Sequence, residues 1–506
     1  MLRRILDLPL LVILMGIAAA AMYLPAAHAL VLRQHAVARP FFYAGTILLI
    51  LTAMIALATA NQRPRNVARS HLWALLGAYL VLPLMLAVPF DQAVRDTSFL
   101  NAWFEMLSSF TTTGATLYDT LDRLPPSLHL WRALVGWLGG FFMLLMAVAV
   151  LAPLNLGGIE VYSGHLPGRA VAGAAQITKI ADPSERMTRY ALLLFPAYGG
   201  LTLALWVLLV MAGETGLVAV CHAMATLSTS GISPVAGLAG SVSGFVGEAL
   251  IFVFLIFAVT RRALPGAVMV DRAIPIHRDP EVRMAAFFVG AVTVVLFVRH
   301  WIGALELADG QDLPAFFRAL WGAAFTTLSF LTTTGFASAD WASSRVWSGL
   351  NTPGLILLGL AMIGGGVATT AGGVKLLRVY ALYRHGEREL ERLVHPSSIG
   401  GSGRIARRLR REGAHVAWVF FILFAFSIAI FTAALGLAGV AFEPGLVLTI
   451  AALTTTGPLA NFAAEAPIRY AELGGAAKLI LGFAMVLGRV EALAILALLA
   501  PDGWRR

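Results

Sequence analysis

Four similar stretches of the 506-residue chain decide the fold: SFTTTGAT at 109–116, LSTSGISP at 227–234, FLTTTGFA at 330–337 and LTTTGPLA at 453–460. We call them turns 1 to 4. Their glycines, separated by 117, 104 and 122 residues, each follow an apolar run too short to cross the ~30 Å of hydrocarbon in a bilayer. A pattern that returns at such spacing predicts four structural repeats.

The composition around these turns is that of a membrane protein. Hydrophobic residues make up 59% of the chain, charged residues 13%, and the mean hydropathy is +0.81. A soluble fold needs far less apolar surface, whereas a bundle in lipid needs this much. Ten apolar stretches are long enough to span, at 8–31, 41–60, 72–89, 131–152, 190–211, 244–260, 284–303, 351–380, 413–438 and 474–500. Arg3 and Arg4, the apolar run from Leu8 to Leu24 and then Ala27-His28-Ala29 also fit a cleaved signal peptide, although we favour a retained helix.

Basic residues alternate between the gaps. The gap 212–243 has no Lys or Arg, while the segment from Lys375 to Arg411 is the most basic part of the chain. The positive-inside rule therefore predicts that both termini are cytoplasmic; the short gap 32–40, with Arg33 and Arg39, is the exception. The net charge of +10 follows this sorting, so we expect no nucleic-acid partner.

The four turns suit the passage of a cation. Irregular backbone at membrane depth is tolerated where it lines a cavity, and rings of backbone carbonyls replace the water of a dehydrated cation. Glycine reaches positive φ without penalty, Thr and Ser hydroxyls coordinate the ion or pin the turn, and the preceding short helices aim their negative ends at it. The predicted ion-binding residues are Thr112, Thr113, Gly114, Thr229, Ser230, Gly231, Thr333, Thr334, Gly335, Thr455, Thr456 and Gly457.

A single such turn more often serves helix packing. Four copies on one predicted side of the membrane favour the ion-binding interpretation instead. The second copy departs most from the pattern, because it reads Ser-Thr-Ser-Gly.

With these motifs the chain resembles the Trk/Ktr/HKT superfamily of K⁺ transporters, most closely the bacterial TrkH-type subunit. WLGGFFMLLMAVAVLAP at 137–153, GGGVATTAGGVKLLRVYAL at 364–382 and MVLGRVEALAILALL at 485–499 resemble the second helices of that family's repeats. The resemblance implies K⁺ selectivity from the four glycines, a homodimer and a separate cytoplasmic nucleotide-binding regulator of the TrkA type. Residues that follow the glycines, Ala115-Thr116 and Pro458, depart from the pattern and leave the K⁺/Na⁺ ratio open.

The predicted fold is therefore an all-α polytopic membrane protein of the cell inner membrane, with ten transmembrane helices. Its last eight form four helix–re-entrant pore loop–helix repeats around one pseudo-fourfold pore. The predicted divisions are two additional helices at 1–66 and repeats at 67–165, 166–275, 276–400 and 401–506.

The elements that control the pore are predicted to lie below the turns. The glycine-rich part of 351–380 forms either a close-packed, kinked helix or a flexible intramembrane loop, and the resemblance implies a gating loop there. Arg489, in the last span, either pairs with Glu491 or a helix-end carbonyl, or raises a positive barrier under the pore. The predicted gating residues are Gly364, Gly365, Gly366, Thr369, Thr370, Gly372, Gly373 and Arg489.

Other functions fit less well. No HExxH or GxSxG motif is present, so we expect neither an enzyme nor a cofactor in this chain, with K⁺ as its ligand. A Na⁺-permeable protein or a carrier coupled to H⁺ or Na⁺ remains the alternative within the same architecture. The basic segment Lys375–Arg411 fits either the regulator or anionic membrane lipids.

Overall fold

The computed structural model describes residues 8–60, 67–118, 120, 123–154, 156–158, 183–263, 275–307, 313–342, 354–395, 411–464 and 466–491. All regular secondary structure in these residues is helical, as predicted. The α-helices are α1 Leu10–Ala21, α2 Tyr23–Val31, α3 His35–Thr59, α4 Val67–Val94, α5 Phe99–Phe110, α6 Pro126–Met146, α7 Pro183–Met211, α8 Gly216–Ser228, α9 Gly244–Leu255, α10 Pro280–Leu307, α11 Leu313–Leu331, α12 Gly354–Ile363, α13 Leu376–Val394, α14 Arg411–Leu437, α15 Phe442–Leu453, α16 Leu459–Phe462 and α17 Gly475–Val490.

Seven helical segments of the described chain are long and apolar enough to cross a membrane. They are Leu10–Val31, His35–Thr59, Ser70–Val94, Pro126–Leu154, Arg186–Met211, Pro280–Val298 and Gly413–Leu437, and each overlaps a predicted span. The predicted spans 244–260 and 351–380 are represented by shorter apolar helices, Gly244–Ala258 and Gly354–Ile363. The gap predicted at 32–40 is shorter, because α3 already begins at His35.

The short helices before the turns lie close to the predicted positions. They are α5, α8, α11 and α15, which end at Phe110, Ser228, Leu331 and Leu453. They are 12, 13, 19 and 12 residues long.

The same packing order recurs four times. A long helix packs on a short helix, and the short helix packs on a second helix: α4–α5–α6, α7–α8–α9, α10–α11–α12 and α14–α15–α17. Each short helix also packs on the second helix of the preceding set: α8 on α6, α11 on α9, α15 on α12 and α5 on α17. The last of these contacts joins the end of the chain to its beginning, so the four sets close on themselves.

Helices α1 to α3 pack outside this assembly, α1 on α3 and α4, and α2 on α6. Phe41 of α3 meets Trp131 of α6 edge to face, with ring centroids 5.4 Å apart. The opposite side of α3 exposes large apolar side chains, among them Ile47 at 65% and Leu57 at 81%. An apolar face of this kind suits contact with lipid.

Candidate functional site

All four turns end their short helix with the same backbone hydrogen bonds. In turn 1 the Thr112 N–H donates to the Ser109 carbonyl at 2.9 Å, and the Thr113 N–H donates to the Ser108 carbonyl at 2.8 Å. The corresponding bonds of Ser230, Thr334 and Thr456, to residues five positions earlier, measure 2.9, 2.9 and 2.8 Å. This is the Schellman ending of a helix, which satisfies the last carbonyls and turns the chain sharply.

Threonine, not glycine, occupies the left-handed position of this ending. Thr112, Thr229, Thr333 and Thr455 have φ of 53°, 53°, 57° and 54°. A β-branched residue at positive φ is a strained outlier that costs on the order of 1–3 kcal/mol. The sequence reasoning placed positive φ at the glycines and missed these threonines. The same strained conformation recurs in all four copies, which makes the turns the candidate site.

Side-chain hydroxyls fasten each turn across its left-handed residue. The hydroxyl oxygens of Thr111 and Thr113 are 2.8 Å apart, and those of Ser228 and Ser230 are 3.0 Å apart. In turns 3 and 4 the Thr332–Thr334 and Thr454–Thr456 distances are 3.1 and 3.3 Å. Two roles were predicted for these hydroxyls, coordination of the ion and pinning of the turn. For the residue directly before each glycine, the geometry supports pinning of the turn.

Each glycine touches the next turn in order. A Cβ on Gly114 would meet the Ser230 carbonyl, and one on Gly231 would meet the Thr334 carbonyl. A Cβ on Gly335 would lie 2.9 Å from the Pro458 ring, and one on Gly457 would lie 2.6 Å from the Cα of Ala115. The four turns therefore form a closed ring, in which any side chain at the glycine position would strike a neighbour.

Turn 4 departs from the other three. Gly114, Gly231 and Gly335 have φ of 71°, 63° and 81°, whereas Gly457 is outside the positive-φ region. Pro458 is the N-cap residue of the short helix α16, and the Gly457 N–H donates to the Thr113 carbonyl at 2.6 Å. The sequence singled out turn 2 as the least typical, but the backbone of turn 2 conforms and that of turn 4 does not.

The ring separates two different environments. On one side the glycines and the residues after them line a cavity of about 500 Å³, together with Tyr118, Ser233 and Tyr470. On the other side the residues before the glycines meet the segment 364–375, which is not helical. This segment leaves α12 after Ile363 and enters α13 at Leu376, so a loop replaces the continuous helix.

The loop lies against the underside of three turns. The Gly372 N–H donates to the Thr333 hydroxyl at 2.7 Å, and the Thr370 hydroxyl donates to the Leu227 carbonyl at 3.0 Å. A Cβ on Gly372 would lie 2.5 Å from the Thr455 hydroxyl, so only glycine fits there. Of the two predicted interpretations, the loop is therefore the one that the backbone adopts.

Arg489 connects the loop with turn 1. Its Nε donates to the Thr111 carbonyl and its Nη1 to the Thr370 carbonyl, both at 2.6 Å, and the side chain is buried. Glu491, the other partner predicted for it, binds Arg378 at 2.8 Å instead. Arg489 therefore makes the helix-end carbonyl contact, since Thr111 caps α5, and it also holds the loop.

A helical membrane protein whose four backbone turns close into a ring, with the negative ends of four helices beside it, belongs to the class of cation-transport proteins. The family TrkH, described as cation transport protein, matches residues 38–503. The chain therefore belongs to the TrkH family of cation transport proteins. The membership confirms the predicted resemblance and the expectation that the chain is a membrane transporter, not an enzyme.

Individual relatives agree with this membership. The chain is 29% identical to the Trk system potassium uptake protein TrkH of Vibrio parahaemolyticus, over 97% of this chain and 98% of that protein. It is 30% identical to TrkH of Escherichia coli strain K12, over 86% and 84% of the two chains. The crystal structure of the potassium transporter TrkH from Vibrio parahaemolyticus superposes with a TM-score of 0.78 at 26% identity and covers 100% of both chains.

Proposed function

We propose that this chain is the K⁺-conducting subunit of a potassium uptake system in the cell inner membrane. The observation that carries the proposal is the closed ring in which each of the four glycines touches the next turn. Relatives along nearly the whole chain are potassium uptake proteins, which favours K⁺ as the transported ion.

In this proposal the ion is coordinated inside the ring. Backbone carbonyls of the turns replace its water, and no charged side chain in the turns would trap it. The ends of α5, α8, α11 and α15 lie directly before the turns, so their dipoles add negative potential. The coordinating set comprises Thr112, Thr113, Gly114, Thr229, Ser230, Gly231, Thr333, Thr334, Gly335, Thr455, Thr456 and Gly457.

The loop and Arg489 form the gate, which is closed in this conformation. Support comes from the contacts of the loop with Leu227, Thr333 and Arg489 directly under the ring. Opening requires that Thr370 separate from Arg489, which frees the loop to leave the path beneath the ring. The gating set is Gly364, Gly365, Gly366, Thr369, Thr370, Gly372, Gly373 and Arg489.

The packing of the helices supports the membrane architecture that we propose. We assign ten membrane-crossing segments, two before residue 67 and eight in four repeats at 67–165, 166–275, 276–400 and 401–506. The recurring order of long, short and second helix supports the repeats, and the exposed apolar face of α3 supports lipid contact. The distribution of Lys and Arg supports cytoplasmic termini.

The assembly we propose is a homodimer that binds a cytoplasmic nucleotide-binding regulator of the TrkA type. The Trk system names of the relatives favour further components. In the described part of the basic segment, α13 carries Arg378, which is buried, and Arg384, Arg388 and Arg392. Residues 396–410, which hold the remaining arginines before Arg411, lie outside the described residues.

Cation flux into proteoliposomes tests the proposal, with K⁺, Rb⁺, Na⁺ and Li⁺ compared before and after Gly114→Ser. The added Cβ would strike the Ser230 carbonyl and widen the ring, so K⁺ preference should fall. Gly439→Ser is the matched control, because Gly439 also has positive φ, 87°, but a Cβ there meets no atom within 4 Å. A K⁺ preference that survives Gly114→Ser would refute the site.

Coupling is tested in the same vesicles. A channel-like path predicts a reversal potential that follows the K⁺ gradient alone. A reversal potential that moves with the H⁺ or Na⁺ gradient would instead indicate a coupled carrier.

A further inference from the structure

The four copies can be compared at a position that the ion site does not use, nine residues before each glycine. This position holds Glu105, His222, Thr326 and Leu448, all fully buried in the short helices. Their chemistry differs completely, although the turns they precede are alike. The residue type at this position correlates with whether the residue three positions after the glycine has a free backbone N–H group.

In turns 1 and 3 the residue three positions after the glycine has a free backbone N–H group, and the buried side chain accepts a hydrogen bond from it. The Leu117 N–H donates to the Glu105 carboxylate at 3.0 Å, and the Ser338 N–H donates to the Thr326 hydroxyl at 3.2 Å. Glu105 is also paired with Arg132 at 2.6 Å, which fixes the orientation of the carboxylate. An oxygen acceptor nine residues before the glycine thus holds the chain three residues after it.

In turn 2 the corresponding residue is Pro234, which has no N–H group. The contact moves back by one residue: the Nε2 of His222 and the hydroxyl of Ser233 are 2.8 Å apart. The imidazole and the hydroxyl each donate or accept, so this pair replaces the missing backbone donor.

In turn 4 the N–H of Ala460 is already used. It donates to the Gly457 carbonyl at 3.1 Å inside the turn that opens α16. An acceptor nine residues before the glycine would have nothing to bind, and the residue there is the apolar Leu448. A different side chain reaches this turn: the Tyr470 hydroxyl donates to the Gly457 carbonyl at 3.0 Å.

We propose that Glu105, His222, Thr326 and Tyr470 are positioning residues, which hold the outer end of each turn and thereby set the ion preference. The inference rests on the proposed function, since it assigns the preference to the same ring. Carbonyls in a ring of fixed width cannot move closer to coordinate a smaller ion. Loosening one turn should therefore admit Na⁺ more easily. These side chains contact the glycine or a residue that follows it, and not the ion.

Tyr470→Phe provides the sharpest test, because it removes one hydroxyl and leaves the ring in place. We expect the K⁺/Na⁺ flux ratio in proteoliposomes to fall about threefold to tenfold, as for the loss of one hydrogen bond. Tyr118→Phe is the matched control: Tyr118 lines the same cavity, but its hydroxyl binds Thr97 at 3.3 Å and not a turn glycine. The ratio of this control should equal that of the wild type.

A second pair keeps the inference testable if Tyr470→Phe does not fold. Thr326→Val removes the acceptor for Ser338, whereas Thr327→Val alters a neighbouring buried hydroxyl with no hydrogen-bond partner among the described residues. Because Glu248 also holds Ser338, at 2.7 Å, we expect a smaller fall for Thr326→Val, about twofold, and none for Thr327→Val.

The outcomes separate the two proposals. A wild-type protein without K⁺ preference would refute the proposed function, whatever the variants do. A K⁺-selective wild type whose ratio is unchanged in folded Tyr470→Phe, or in Thr326→Val if that is the variant that folds, would overturn the positioning role alone. A ratio that falls in Tyr470→Phe and not in Tyr118→Phe supports it.

Discussion

The Nη1 of Arg489 lies 2.6 Å from the carbonyl oxygen of Thr370, although the two residues are 119 positions apart. A charged donor on a neutral carbonyl forms one of the stronger hydrogen bonds in a protein, about 1.5–3 kcal/mol. The contact ties the loop to the last helix directly under the ring. Three of the predictions below follow from it.

Arg489→Ala should increase K⁺ flux at least about tenfold, because losing the bond to Thr370 removes more than ~1.4 kcal/mol from the closed state. Initial rates of K⁺ uptake into proteoliposomes measure the effect. Arg489→Lys keeps the charge but loses the fork of two donors, so its flux should be intermediate. Arg384→Ala, which breaks an exposed pair with Glu387 on α13, serves as the control without effect. Unaltered conduction in Arg489→Ala would remove its gating role.

Deleting Gly365–Gly372 should raise flux further, because it removes the loop from beneath the ring. The excision is sterically feasible: a Cβ on Gly364 would lie 2.8 Å from the Cα of Gly373, so the two ends already meet. Flux is measured on protein that elutes as a single species in detergent. Equal or lower flux in such protein would contradict the loop's role as a gate.

Thr370→Val should have a smaller effect in the same direction. It removes the hydroxyl bond to the Leu227 carbonyl, 3.0 Å long, and leaves the Thr370 carbonyl for Arg489. The loss of one neutral hydrogen bond, about 0.5–1.5 kcal/mol, predicts a flux increase of about twofold to tenfold. An increase as large as that of the deletion would show that the hydroxyl, and not Arg489, is the main restraint.

Glu491→Gln tests the other buried contact of this region. Arg378 binds Glu491 at 2.8 Å and lies over the Phe420 ring with its guanidinium carbon 3.7 Å from the centroid. Removing the carboxylate charge leaves a buried cation without its counter-ion, which costs about 3–5 kcal/mol of stability. A fall in melting temperature in detergent would reveal it.

The control for that measurement is Glu389→Gln. Glu389 pairs with Arg392 at 2.9 Å, but both side chains are nearly half exposed. Exposed pairs contribute little, so the melting temperature should barely change. Equal falls in melting temperature in the two variants would show that the buried Arg378–Glu491 pair stabilises the protein no more than the exposed pair.

Local features of the fold were predictable. The short helices α5, α8, α11 and α15 lie where short apolar runs precede the turns, because the length and polarity of a segment decide whether it spans. The five glycines of the segment 364–375 indicated a kinked helix or a loop, because glycine weakens a helix wherever it occurs, and the structure has the loop. In both cases the cause lies within a few neighbouring residues.

Contacts between distant segments were less accessible. Of the two partners predicted for Arg489, it binds the helix-end carbonyl, at Thr111, whereas Glu491 binds Arg378, which is 113 positions away. Tyr470, Glu105 and Thr326 drew no attention, since a single buried polar residue carries no signal of its own. For Glu105 and Thr326 the one sequence signal is their shared position nine residues before a glycine, whereas Tyr470 follows its glycine and has no such signal.

The sequence by itself therefore determined a helical membrane protein with four glycine turns, each at the end of a short helix, because hydropathy and backbone preference act over short distances. Only the tertiary structure decided that the turns close in order, that threonines take the left-handed position, and that Arg489 joins Thr111 to Thr370. The order of the turns and the contacts of Arg489 depend on packing between residues more than a hundred positions apart, where shape and hydrogen-bond geometry select one partner among many. The threonine conformation depends on the hydrogen bonds that end each short helix.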